Sequence, residues 1–197
     1  MKTKKGVNSK TFAVLLVLVL VAGFVIGGSV AWLVSNPAPV VNTFTYGDIN
    51  ITLAETTGDN YKILPGNDIS KDPKVTVLAN SEDCWLFVKV DESSWPTFAE
   101  GTPATGKVNY AIATGWTKLP SESGVYYRTV DAAKTNTEFA VLADNKITVS
   151  QNLTKAEVDR VKTTNPTLTF TAYAVQRDSN ITTAAQAWGI ANSQPQA

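Results

Sequence analysis

Any chemistry in this chain has to be done without histidine. None occurs among its 197 residues, and there is a single cysteine, Cys84. A histidine-based zinc site, a Ser-His-Asp triad and a histidine general base are therefore excluded. So are an internal disulfide and a cysteine-only metal site. Carboxylates, hydroxyls and five tryptophans remain. The carboxylates stand in pairs at Glu82-Asp83, Asp91-Glu92 and Glu157/Asp159. A glycosidase needs two carboxyl groups converging on one bond, but adjacent acids on a strand point to opposite faces, so these pairs read as solvated charge. Asp48, Asp59, Asp68 and Asp72 are the set that could meet as oxygen ligands of a calcium ion, without the spacing of an EF-hand loop. Serine and threonine are plentiful, yet no Gly-x-Ser-x-Gly elbow is present and no base is at hand to activate a hydroxyl. The expectation is a non-enzymatic protein with no catalytic residue, no metal and no cofactor.

The tryptophans divide by context. Trp85 and Trp188 sit in apolar strings and belong to a core. Trp95 and Trp116 lie in loops beside proline, glycine and threonine. They serve as anchors packing those loops or, in an alternative reading, as a platform for glycan or protein binding across residues 91–124.

Charge is unevenly placed. There are 17 basic and 17 acidic residues, but Lys2, Lys4, Lys5 and Lys10 precede the first acid, Asp48. Between them Phe12 to Ile26 is uninterrupted apolar residue or glycine, followed by Gly27, Gly28, Ser29, Val30 and Ala31. A basic start, an apolar run and small residues form the tripartite pattern of an export signal. Ser29 and Ala31 occupy the two small-residue positions of a cleavage site before Trp32. The competing reading is a retained membrane anchor, since the run is long enough to span a bilayer; the glycine-serine break favours cleavage. Removing residues 1–31 leaves 166 residues with 13 basic and 17 acidic groups, a net charge of −4. Such a domain suits a secreted or cell-surface location and is a poor partner for nucleic acid. The expected contact with a membrane is through the uncleaved segment alone.

The elements that must carry these residues are mostly strands. Residues 32–41 read as a flexible linker. Asn42-Thr43-Phe44-Thr45-Tyr46 is a strong β-forming segment next to the new N-terminus. It can serve as the first strand of its own sheet or pair with the edge of a neighbour, and head-to-tail pairing of that kind builds filaments. Gly47-Asp48 shifts the alternation, as a turn or bulge does. Leu64-Pro65-Gly66-Asn67 fits a type II turn. Val75 and Val77, the dense run Cys84 to Val90, then Val108, Tyr110 and Ile112, and Val125, Tyr127 and Thr129 read as strands, with a long loop over 91–106. Ala-Asp-Asn at 143–145 reads as a hairpin turn between Phe139/Val141 and Ile147/Val149. One helix is expected from Thr154 to Val161, with Thr154 and Glu157 at capping-box spacing and Val158 and Val161 inward. Leu168 to Gln176 is a final long strand, with Leu168, Phe170, Ala172 and Ala174 on one face and Thr169, Thr171, Tyr173 and Val175 on the other, so that both are expected to be partly covered. Residues 189–197 read as a frayed tail after Trp188. The predicted fold is all-β: a jelly-roll-like antiparallel β-sandwich over residues 42–188 with one or two short helices, preceded by the hydrophobic segment 1–31.

In order along the chain, Gly-Gly-Ser-Val-Ala31-Trp32-Leu33, Asn42 to Ile49, Leu64-Pro65-Gly66, Lys71-Asp72-Pro73-Lys74-Val75-Thr76-Val77, Asp83 to Val90, Leu168 to Gln176 and Ala187-Trp188 resemble the TasA/camelysin group. These are exported proteins of Gram-positive bacteria with a SipW-type signal peptide. The resemblance implies processing by a specialised signal peptidase, a jelly-roll domain, self-association or contact with other matrix proteins, and extracellular fibres of a biofilm matrix. In such fibres the N-terminal strand of one subunit completes the sheet of the next. Carried onto this chain, the donor segment falls within Trp32 to Thr45, Phe44 enters the acceptor's apolar groove, and Gly47-Asp48 marks where the chain enters its own domain. Two departures stand out. Leu33-Val34-Ser35-Asn36-Pro37 replaces the family's Thr-Asp-rich stretch, and Pro37 and Pro39 lack the N–H groups a long donor strand needs. The metalloprotease label attached to camelysin relatives does not transfer, because a chain without histidine has no His-Glu-x-x-His site. The export reading predicts that N-terminal sequencing of the secreted protein begins at Trp32; a chain that stays membrane-bound and starts at Met1 refutes cleavage.

Overall fold

Residues 33–35, 43–57, 60–94, 107–132, 135–164 and 166–193 are described by the computed structural model. Its centre is made by two ten-residue strands, β7 (Cys84–Ser93) and β13 (Thr167–Gln176). They pair antiparallel along their whole length, from Thr167 opposite Ser93 to Gln176 opposite Cys84. Both runs are rich in β-branched and aromatic residues, which fit a pleated surface. Both also carry apolar residues on the two faces, the pattern of strands covered on each side.

Around this pair the sheet extends in the order β2 (Thr43–Tyr46), β13, β7, β10 (Val125–Val130) and β9 (Thr117–Lys118). A three-stranded sheet orders β11 (Thr137–Ala140), β6 (Lys74–Val77) and β3 (Ile51–Ala54). Another orders β5 (Ile69–Ser70), β12 (Lys146–Val149) and β8 (Val108–Asn109). A two-stranded sheet joins β1 (Leu33–Ser35) to β4 (Asn60–Lys62). Helix α1 is Lys155–Thr164 and helix α2 is Ala184–Asn192. The fold is thus mostly β with two helices, as expected.

The apolar residues gather in two clusters, one on each face of the five-stranded sheet. On one face Leu86, Val88 and Val90 of β7 and Leu168, Phe170, Ala172 and Ala174 of β13 meet Ile51 and Leu53 of β3, Val75 and Val77 of β6, and Ile147 and Val149 of β12. On the other, Phe87, Tyr173, Val175 and Val125 are covered by α2 through Ala184, Ala187, Trp188 and Ala191. Those four helical residues recur at the spacing of one helix face. The Trp188 ring sits 5.4 Å from Phe87 and stands edge-on to Tyr173 at 5.1 Å.

Four expectations are corrected. First, the pairing of β2 with β13 is parallel, while the other strand pairs described are antiparallel. After β2 the chain crosses to β3 in a different sheet instead of turning back on itself. Second, the linker reading of 32–41 gives way at Leu33–Ser35, whose backbone pairs with β4. Third, residues 143–145 do not make a hairpin. They form a short 3-10 turn with Asp144 and Asn145 at φ of 54° and 52°, and it passes the chain from β11, paired with β6, to β12, paired with β5 and β8. Fourth, the tail is not frayed from 189 onward: α2 runs to Asn192, and Ala191 is 4% exposed. The helix is started by Thr183, whose hydroxyl accepts from the Gln186 N–H at 3.3 Å while the Gln186 side chain accepts from the Thr183 N–H at 3.1 Å, a full capping box.

Helix α1 forms with the expected cap, and the side chain of Val161, expected inward, lies outside the described residues. The Thr154 N–H donates to Glu157 at 2.7 Å, and the Glu157 N–H donates back to Thr154 Oγ1 at 3.3 Å. Val158 packs against the larger core. The turn at 64–67 also forms, with the Asn67 N–H donating to Leu64 O at 3.0 Å and Gly66 at φ +80°, the left-handed value a type II turn requires. Because Trp188 is 4% exposed and closes one face of the main sheet, Trp188→Ala should lower the unfolding free energy by about 3–5 kcal/mol. Urea denaturation followed by circular dichroism measures this; a loss below about 1 kcal/mol would remove α2 from the core.

Candidate functional site

The N-terminal edge of the main sheet is the first candidate, and backbone geometry defines it. Thr43, Phe44, Thr45 and Tyr46 register against Ala172, Tyr173, Ala174 and Val175. This covers four residues of a ten-residue strand. Among the described residues, no strand pairs with Thr167–Thr171 on that side of β13. An edge with free N–H and C=O groups is a template for another strand. Immediately after β2, Gly47 adopts φ +96°, and the Ile49 N–H closes a tight turn onto Gly47 O at 2.9 Å. A Cβ at Gly47 would come within 2.8 Å of Gln176 Cβ. Glycine is therefore demanded both by the left-handed backbone and by close approach. Thr45 is exposed. The side chains of Thr43, Phe44 and Tyr46 lie outside the described residues, as do Ser29, Ala31, Trp32, Asn42 and Trp95.

The second candidate was the loop surface with Trp95 and Trp116. Trp116 is half-buried and used structurally. Its indole N–H donates to Ala140 O at 2.8 Å. The Arg128 guanidinium lies 5.4 Å from its ring and 3.9 Å from the ring of Phe139, a stacked arrangement favoured by the ring quadrupole. Trp85 likewise spends its N–H on Ile181 O at 3.1 Å. Cys84 is fully buried, and burial pushes its thiol up to about 12, so the reactive thiolate is suppressed.

The carboxylate pairs are dispersed among structural partners. Asp83 accepts from the Ala132 N–H at 2.6 Å and from Arg177 at 3.1 Å, and Arg177 also reaches Asp131 at 2.7 Å. Asp91 faces Lys89 at 3.1 Å, and Glu92 accepts from the Tyr110 hydroxyl at 2.5 Å. Glu157 takes Lys107 at 2.7 Å as well as its cap, and is held down to about 2, chiefly by the Lys107 bond. Asp159 pairs with Lys155 one helical turn away. The three described aspartates of the calcium reading do not converge. Asp68 pairs with Lys146 at 2.8 Å, Asp72 is bound elsewhere, Asp48 is exposed, and Asp59 lies outside the described residues. Among the described residues no group of three or more acidic or cysteine side chains could hold a metal ion.

The most unusual polar arrangement is one that sequence reasoning did not single out. Glu55 leaves the end of β3 and Lys71 leaves the end of β5. Their side chains are 7% and 5% exposed, and Lys71 Nζ donates to both carboxylate oxygens at 2.8 and 2.9 Å. The Tyr61 hydroxyl donates to Glu55 Oε1 at 2.6 Å and lies 3.3 Å from Lys71 Nζ. The rings of Tyr61 and Phe170 flank the ammonium at 5.0 and 5.5 Å. Next to it, Asp72 accepts from the Thr56 N–H at 2.9 Å, the Thr56 hydroxyl at 2.6 Å and the Thr57 N–H at 3.0 Å. Lys71 and Asp72 carry the family resemblance within residues 71–77, but nothing in their spacing relates them to Glu55 or Tyr61. The partners lie 6, 10 and 16 positions apart in sequence and meet where β4 and the ends of β3 and β5, strands of three different sheets, come together.

Burial alone would raise the pKa of Asp72, but the hydrogen bonds from Thr56 and Thr57 outweigh it and hold the carboxyl below its ordinary value. A folded-state pKa depressed in this way contributes stability that is whole above the unfolded pKa and is lost as pH falls through the folded one. Asp72→Asn should therefore lower the unfolding free energy at pH 7 by about 1–3 kcal/mol. It should also flatten the acid loss of stability below pH of about 4. Urea titrations at neutral and acid pH test both, and an unchanged acid limb would contradict the assignment.

No family model, curated protein or solved structure matches this chain. The arrangement therefore has to be read on its own terms: among the described residues, a sheet edge covered over part of its length by a four-residue strand, beside charges committed to structure.

Proposed function

We propose that this protein is an exported, non-enzymatic structural component of the cell surface or extracellular matrix that assembles into fibres by strand exchange. The observation that carries the reading is the geometry of β2. It is four residues long, sits at an edge, pairs parallel with β13, and joins the domain through a glycine at φ +96°. The segment before it carries the export pattern and the small residues of a cleavage site. A strand held by four register positions on a ten-residue neighbour can be replaced by the same strand of another copy at little net cost, because the hydrogen bonds lost and gained are the same. Head-to-tail exchange does not close and so extends into a filament.

We read the two-faced core as a jelly-roll-like sandwich, supported by the packing of the main sheet against the two three-stranded sheets. The resemblance to the TasA/camelysin group agrees with this role. Asp83, Asp91, Glu92, Glu157, Asp159 and Trp116 are occupied by structural partners and the Cys84 thiol is buried, which is consistent with a building block. Partners of this reading are a signal peptidase during export and further copies or other matrix proteins afterwards.

Electron microscopy of residues 32–197 and 47–197 separates assembly from surface binding. Filaments from the longer form, lost in the shorter, are the expected result. Monomers of both forms under all conditions, with saturable glycan binding abolished by Trp95→Ala or Trp116→Ala, would overturn it.

A further inference from the structure

The buried amine and carboxyl of Lys71 and Glu55 are placed for more than an ion pair. We propose that Lys71 Nζ and Glu55 Cδ condense into an intramolecular isopeptide bond that staples the end of β3 to the end of β5. The proposal stands apart from the assembly reading, because it concerns the covalent structure of a single chain.

Three features carry it. The reacting groups are in contact, with Nζ 2.8 and 2.9 Å from the two carboxylate oxygens. Holding reactants so gives an effective concentration of about 10⁵–10⁸ M in well-oriented systems. Water is excluded, since both side chains are almost fully buried and two aromatic rings flank the nitrogen. In such a place two charges bear a desolvation penalty that their attraction offsets only in part. Condensation removes both charges together. Finally, the Tyr61 hydroxyl donates to Oε1 at 2.6 Å. A donor fixed on that oxygen polarises the carbonyl and stabilises the negative charge that builds there in the tetrahedral intermediate.

The atoms balance without a further reagent. The ammonium gives a proton to the Glu55 carboxylate at Oε2, freeing the nitrogen lone pair. Nζ attacks Cδ, and the C–N bond forms as Oε1 gathers charge against the Tyr61 O–H. A second nitrogen proton passes to Oε2, the C–Oε2 bond breaks, and water leaves. One hydrogen stays on the amide nitrogen, and no redox change occurs. Tyr61 is a catalytic residue for this step, and Phe170 contributes by excluding water.

Intact-mass spectrometry of the purified, folded exported chain decides the matter. The expected mass is lower than the sequence mass by one water and remains so after boiling in denaturant. Protease digestion should yield a branched peptide in which the segment bearing Glu55 is joined to the one bearing Lys71. Lys71→Arg and Glu55→Ala should restore the full sequence mass, and Tyr61→Phe should leave a measurable fraction unreacted. A folded wild-type protein at full sequence mass after prolonged incubation, with the two peptides separate, overturns the proposal and leaves a salt bridge only. Loss of water mapped to any other residue overturns it equally. The wild-type measurement is decisive whether or not the variants fold.

Discussion

The ten-residue antiparallel register between β7 and β13 is the constraint on which the rest of the molecule depends. Thr167 faces Ser93 at one end and Gln176 faces Cys84 at the other. A slip of one residue would exchange the two faces of the strand. Here that would turn Phe170, Ala172 and Ala174 away from the small sheets and move Tyr173 and Val175 from α2. Because both faces are apolar, hydrophobicity alone does not penalise the slip strongly. Shape does: one face must accept the Trp188 and Phe87 rings, and the other must accept β3, β6 and β12.

From that register the corners follow. The chain leaves the main sheet at Gly47 and changes small sheets at Asp144 and Asn145, three residues at positive φ. Glycine and asparagine tolerate this conformation best, and aspartate next. These corners are what allow short strands to belong to several sheets while enclosing one core.

The treatment of charge is equally systematic. Asp68, Asp83, Asp91, Asp131 and Asp159 pair with lysine or arginine at the surface, where a pair contributes little to stability. The carboxylates drawn inward are saturated instead: Asp72 by threonine donors, Glu55 by Lys71 and Tyr61. Breaking one partner of such a buried pair leaves an uncompensated charge, and that is far costlier than losing a surface bridge.

The linear order of residues by itself determined the exclusion of histidine chemistry, the mostly β character, the long last strand and the capped helix at Thr154. These are local properties: composition, period-two alternation, and donors and acceptors three residues apart. The same capping signal, Thr183 with Gln186, precedes α2. What only the tertiary structure decided is which strands become neighbours. The parallel placement of β2 and the passage at 143–145 between two sheets in place of a hairpin depend on contacts between distant segments, and the meeting of Glu55, Tyr61 and Lys71, at most 16 positions apart, depends on how three sheets converge. Such contacts are set by the shape of a common core, and no periodicity along the chain encodes them.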